Sequence, residues 1–175
     1  MTVTVRHARP SDAAALVAHL KALATEPSID IPLAPDEITL TPEDERELIE
    51  AQKGSTRSAM LVAIDGDALA GELTIKAISS RRAVAHVATL GMSVAASHRR
   101  RGIGEALLRA AIEWADANDF LRVELYVYAR NAAAIALYQK LGFSIEGKRA
   151  AFIREGDAFL DDFVMARLTG PARGT

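Results

Sequence analysis

GMSVAASHRRRGIGEALL (91–108) passes from a strand pattern to a helix pattern within a few residues. The strand ends near Val94, and a short loop then carries Arg99, Arg100, Arg101, Gly102 and Gly104. The spacing predicts a helix over 102–118 with Ile103, Leu107, Ala110 and Trp114 on one apolar face. Glycines let a backbone approach a ligand closely, and the first amides of a helix have no partner within it. The helix dipole and three arginines add positive charge at the same place. Such a turn suits a phosphate or pyrophosphate. It lacks the Gly-Lys-Ser/Thr of a Walker loop and the GxGxxG dinucleotide fingerprint. Taken alone, the same residues also fit a solvated basic turn before an ordinary helix.

A second informative stretch is ELYVYARNAAAIALYQKLGF (124–143). Residues 121–128 read as a strand, and the helix over 131–141 opens at Asn131 and stops at Gly142. Tyr138 lies seven residues after Asn131, so both project from one side two turns apart. By themselves they are an N-cap and an amphipathic core aromatic.

Working outward, Thr2–Ala8 alternates as a first strand, and Pro10-Ser11-Asp12 opens a helix with Leu16, Leu20 and Leu23 at helical spacing. Residues 26–40 hold three prolines and no period, which predicts a long loop of the kind that lines binding sites. Thr41-Pro42-Glu43-Asp44 is an N-cap with proline at the first helical position, starting a charged helix to about Gln52. MLVAID and ALAGELTIKAI flank Asp65-Gly66-Asp67 as a hairpin. A turn at 79–82 leads to a further strand over 83–94, and 143–154 with 158–168 form a closing pair. The order β-α-α-β-β-β-α-β-α-β-β is an α/β fold: a mixed sheet flanked by helices.

The 175 residues suit one compact domain over 1–168, with 169–175 as a mobile tail free of core-forming residues. Lys+Arg 21 against Asp+Glu 23 gives no charge excess that would favour nucleic acid. There is no cysteine, which excludes disulfides, thiolate metal sites and a cysteine nucleophile. The first residues lack an apolar signal core and no apolar stretch approaches a membrane span, so a cytoplasmic protein without membrane partners is expected.

Arg99-x-x-Gly102-x-Gly104, between its strand and its helix, resembles the Arg/Gln-x-x-Gly-x-Gly/Ala signature of the Gcn5-related N-acetyltransferase (GNAT) superfamily. Asn131-x-x-Ala134-x-x-Leu137-Tyr138-x-x-x-Gly142-Phe143 resembles that family's second motif, and the likeness extends from roughly Val3 to Leu168. It implies a mostly antiparallel sheet of about seven strands with about four helices, and acetyl-CoA as co-substrate with no metal. The pyrophosphate would rest on the turn Arg99, Arg100, Arg101, Gly102, Ile103, Gly104 and Glu105. The pantetheine arm would pair with the backbone of Met92, Ser93 and Val94, with Asn131 and Ala134 on its other side. The thioester would then lie near Tyr138.

In that chemistry a neutral amine attacks the thioester directly, and Tyr138 protonates the departing thiolate. Some relatives place a basic glutamate five residues before the motif asparagine, where this chain has Tyr126. Glu124, two residues earlier on the same strand face, is the substitute, with Glu72, His86 or a water chain as alternatives. The segments 62–75, 81–94 and 142–168 resemble a bacterial subgroup that acetylates the α-amino group of amino acids and aminoacyl compounds. The same carboxy-terminal pattern occurs in polyamine and ribosomal-protein N-terminal acetyltransferases, and a non-catalytic acetyl-CoA-binding module is a further alternative. Ile31–Leu33 and Phe159–Asp161 are the candidate substrate walls. The partners implied are a small-molecule amine and, as an option, a second copy of the chain.

Overall fold

The computed structural model describes residues 3–26 and 30–169. The chain runs β1 (Thr4–His7), α1 (Ala13–Ala24), α2 (Pro42–Gln52), β2 (Ser58–Asp65), β3 (Ala68–Ala77), β4 (Val87–Val94), α3 (Ile103–Ala117), β5 (Arg122–Tyr128), α4 (Ala132–Lys140), β6 (Ser144–Glu155) and β7 (Ala158–Leu168). The strands form one seven-stranded sheet in the order β1-β2-β3-β4-β5-β7-β6. β4 and β5 run parallel, while β1–β2, β2–β3, β5–β7 and β6–β7 are antiparallel. This is the mixed, mostly antiparallel sheet with four helices that the sequence implies. Among the described residues no helix is long and apolar enough to cross a membrane. By backbone proximity the chain divides into two compact units, Met1–Lys76 with Met92–Ala111 and Ala77–Gly91 with Ile112–Thr175.

In the first unit, α1 and α2 bury their apolar sides with β2. Ala13, Leu16, Ile49 and Val62 form a buried cluster, with Met60, Ile64 and Leu69 packed against it. Asp12 closes the 3-10 turn Pro10–Asp12 that leads into α1, accepting from the Arg9 amide at 2.7 Å and pairing with Arg6 at 2.6 Å. A reciprocal capping box starts α2: Thr41 Oγ1 accepts from the Asp44 amide, and the Asp44 carboxylate accepts from the Thr41 amide at 2.8 Å. One turn on, Glu45 and Ile49 share the inward side of α2 at i, i+4 spacing and are both buried. The β2–β3 hairpin turns through Gly66 at φ 63°. Its register shifts between Ala63↔Gly71 and Ile64↔Leu69, which leaves Ala70 as the extra residue of a bulge.

In the second unit, Val123, Leu125 and Met165 are fully buried on β5 and β7, and Trp114 stacks on Phe120 with ring centroids 5.6 Å apart. β4 begins at Val87, not at residue 83, because Arg82–Val84 close a 3-10 turn. His86 therefore precedes the strand, exposed, with its carbonyl accepting from the amides of Leu121 and Arg122. α3 has residues in both units, and its buried side is Ile103, Leu107, Leu108, Ala111 and Ala115, rotated from the expected side. Trp114 lies at that side's margin, where its large ring reaches Phe120. Of the tail 169–175, only Thr169 is among the described residues; its amide donates to the Leu121 carbonyl.

Candidate active site

The site is built on the end of β4. Its ladder with β5 covers Val87–Thr89, and Met92, Ser93 and Val94 run on beyond that paired stretch, each half-buried. The Ala95 amide donates to the Ala70 carbonyl at 3.0 Å, so the bulge of β3 holds this end in place. Gly71 makes that approach possible: a Cβ there would stand 2.7 Å from the Ser93 carbonyl oxygen, inside any normal contact.

The turn that follows is shaped by positive φ at Arg100 (63°) and Gly102 (79°), and space above Gly102 is open. Ile103 is buried and anchors the start of α3, whose first backbone amides have no acceptor within the helix. The three arginines are not one free cluster. Arg99 donates to the Val94 carbonyl at 3.0 Å and to Glu26 at 2.5 Å, and Arg101 pairs with Asp65 at 2.7 Å. Arg100 is exposed and has no ion-pair partner among the described residues. Glu105 is tied to Arg109 one turn later, at 2.8 Å.

Beside this turn runs a hydrogen-bonded row that brings together three elements. Ser93 Oγ donates to Glu72 Oε1 at 2.9 Å, and His19 Nε2 lies 2.9 Å from the same Ser93 oxygen. Serine has one proton to give, so with Glu72 ionised His19 Nε2 carries the hydrogen toward Ser93. With Glu72 protonated the row can run the other way, from the carboxyl through Ser93 to His19. Part of Glu72 stays accessible, but its carboxyl is enclosed by protein on most sides. Burial therefore pushes it up to about 7, against the opposing hydrogen bond from Ser93 and with help from the nearby Glu45 charge. Burial also lowers the His19 pKa, which keeps the ring neutral. Glu72, His19 and Glu45 line a cleft of about 210 Å³ whose remaining walls include Leu16, Leu40 and Met60. A carboxyl that titrates near neutrality, on an apolar cleft and wired to a strand end, is suited to accepting a proton from a bound amine.

The second unit holds the other expected residues. Asn131 caps α4, its Oδ1 accepting from the Ala134 amide at 3.1 Å. Tyr138 is buried, 5.9 Å from the Phe143 ring, and the Phe143 amide closes the helix end on the Tyr138 carbonyl at 3.1 Å. Burial lifts the phenol up to about 12, and its hydroxyl has no hydrogen-bond partner among the described residues. Tyr138 is thus a proton-bearing donor across the working pH range. Glu124 is held by Arg122 at 3.1 Å, and Arg122 also grips Glu146. Tyr126 is half exposed under the Arg149 guanidinium. Phe159 is exposed on β7, while Asp161 pairs with Lys148 at 2.6 Å and accepts from the Ala151 amide. Back in the first unit, Leu33, from the expected loop wall, lines a second cleft with Leu20, Ile38 and Leu40.

Reading the sequence did not single out His19, Glu45 or Gly71. The available signal was a polar residue at apolar spacing: His19 follows Leu16 by three and precedes Leu23 by four, and Glu45 precedes Ile49 by four.

The sequence model of the Acetyltransferase (GNAT) family matches residues 15–143. The Escherichia coli L-amino acid N-acetyltransferase AaaT is 38% identical over 112 residues, which cover 62% of this chain and 67% of that protein. The crystal structure of a GNAT-family acetyltransferase from Streptococcus pneumoniae superimposes with TM-score 0.89 at 35% identity, over 97% of this chain and 100% of its own. A Salmonella typhimurium structure, yncA with its cofactor acetyl-CoA, shares the fold at TM-score 0.86 and 19% identity, covering 100% of this chain and 98% of its own.

Proposed function

We propose, since this chain belongs to the acetyltransferase (GNAT) family, that residues 1–168 act as one domain moving the acetyl group of acetyl-CoA to the primary amine of a small molecule. The acceptor in this reading is the α-amino group of an amino acid or aminoacyl compound, and the name of the Escherichia coli relative supports that class. The turn suits the pyrophosphate: two positive-φ residues, open space above Gly102 and, in Arg100, one arginine without an ion pair among the described residues allow an anion to be met there. The backbone of Met92–Val94, beyond the ladder with β5, suits the extended pantetheine arm. Acetyl-CoA, when bound, supplies the thioester carbonyl that the amine attacks.

The chain's residues then have separate tasks. Glu72 takes the proton from the incoming ammonium, and Ser93 and His19 hold its carboxyl in place. A backbone amide near Met92 stabilises the oxyanion, and Tyr138 hydrogen-bonds the departing thiolate. Glu72 is favoured over Glu124 as the base because Glu124 is engaged by Arg122, whereas Glu72 faces a cleft and titrates near neutrality. The Glu72–Ser93–His19 row carries this reading. Coenzyme A thiol release, screened over amino acids, aminoacyl amides, polyamines and short peptides, tests it. Release only with polyamines or with peptide substrates would overturn the acceptor class.

A further inference from the structure

Glu45 is an unusual residue to find inside a protein without a counter-ion. It is 6% exposed, lines the same cleft as Glu72, and has no side-chain partner among the described residues. A buried carboxylate is costly unless something pairs with it. The α2 dipole helps, since Glu45 sits in the first turn of that helix. That is a partial remedy, and it leaves the carboxylate aimed at a space large enough for a small ligand.

The rest of the lining narrows the ligand. No lysine or arginine lines the cleft, and His19, its one basic group, is kept neutral. The second cleft shares Leu20 and Leu40 with the first, and its charged residues are Glu37 and Asp44. Arg99, whose charge acts on His19, is held by Glu26. An ammonium group therefore meets two carboxyl groups, whose pKa values burial raises and a paired cation would lower again, and apolar walls receive its side chain. A free α-carboxylate would enter the same space with no cation to meet it and with like charges beside it.

We infer that this cleft is the acceptor site, with Glu45 as its ammonium anchor, and that it takes α-amines whose neighbouring carboxyl is blocked as an amide or ester in preference to free amino acids. The inference rests on the transfer reading above and deepens it from amino acids or aminoacyl compounds to the aminoacyl class.

An α-amino amide is also less basic than its parent acid, so turnover alone would mix reactivity with recognition. The test is calorimetric binding of leucinamide and leucine at pH 7, with coenzyme A present, to the wild type, Glu45→Gln and Glu45→Asp. The wild type should bind leucinamide at least tenfold more tightly than leucine. Glu45→Gln should bring that ratio within threefold, and Glu45→Asp, which keeps the charge, should preserve most of it. Leucine binding as tightly as leucinamide in the wild type, or an unchanged ratio in Glu45→Gln, would overturn the inference. Thermal melts of both variants establish that they are folded. Thiol release measured alongside separates the two readings: a preserved binding preference with no release from either amine would refute the transfer reading and leave the cleft's selectivity standing.

Discussion

The turn at 99–104 and the cleft beside Glu72 treat charge in opposite ways. In the turn, cations are plentiful and two of three are paired off, Arg99 with Glu26 and Arg101 with Asp65. In the cleft, the carboxylates of Glu45 and Glu72 are lined up with no cation at all. The difference fits the role proposed for each. A phosphate site can rely on backbone amides, which neither titrate nor move, and paired arginines help to hold that backbone in shape. A proton acceptor must change its charge during the reaction. An arginine beside Glu72 would hold its pKa low and spend its basicity in advance.

Removing the acceptor should break that contrast most severely. Glu72→Gln keeps the hydrogen bond to Ser93 and removes the base, and kcat should fall by roughly 10²–10³-fold. In the wild type, kcat/KM should rise as pH approaches 7, since the basic form is the ionised one, and this limb should vanish in the variant. Stability should change in the opposite direction. A carboxyl raised from 4.5 to about 7 on folding is bound to its proton more tightly in the native state, so the wild type loses stability as pH climbs through that window. Glu72→Gln does not, and by pH 8 it should be the more stable protein by up to about 3 kcal/mol. Denaturant titrations at pH 5 and pH 8 read the crossing. Wild-type kcat in Glu72→Gln would return the role to Glu124 or to water.

Tyr138 extends the comparison to a group that must keep its proton. Tyr138→Phe leaves the ring against Phe143 and deletes the hydroxyl, so kcat should drop about 10²-fold with acetyl-CoA affinity nearly constant. With the phenol at about 12, no loss of rate below pH 10 should trace to its ionisation. If single-turnover rates of Tyr138→Phe match the wild type, Tyr138 is packing and nothing more.

The turn itself can be broken through its backbone. Gly104→Asp places bulk and negative charge in the first turn of α3, and acetyl-CoA affinity should fall by at least ~2 kcal/mol, about thirtyfold, with the fold intact. Calorimetry that finds unchanged affinity would mean that the pyrophosphate lies elsewhere.

These two regions also explain what the sequence could and could not disclose. The turn is contiguous: strand, arginines, glycines and helix follow one another within 91–108, so periodicity and composition sufficed to find it. The order of the eleven strands and helices among the described residues was legible for the same reason, because each rests on local spacing. The cleft draws on α1, α2, β2 and β3, and Ser93 of β4 ties two of its members together, so the polar groups stand at 19, 45, 72 and 93. No local pattern links them. Glu72 could be named as one base among several, but its selection depends on burial and on Ser93, which only the folded chain supplies. His19 and Glu45 were hidden by looking like imperfections in two apolar helix faces. Residues 83–86 alternate as a strand would, yet the backbone closes a 3-10 turn at Arg82–Val84 and β4 starts only at Val87.

The smallest expected effect separates the arginines. Arg100 is exposed and without an ion pair among the described residues, so its charge is available to a phosphate but contributes little to the fold. Arg100→Ala should weaken acetyl-CoA binding about three- to tenfold, more at low salt than at high, with an unchanged melting temperature. Arg101 answers Asp65, whose side chain is nearly buried and whose other oxygen lacks a partner among the described residues. Deleting Arg101 leaves that carboxylate only His98, 3.7 Å away, so Arg101→Ala should cost about 1–2 kcal/mol of stability. Its effect on acetyl-CoA affinity should be smaller than that of Arg100→Ala. Paired titrations and melts of the two variants read this directly. If Arg101→Ala lost the affinity and Arg100→Ala the stability, the division of labour within the turn would be reversed, and the ion pair to Asp65 would have to open when the phosphates bind.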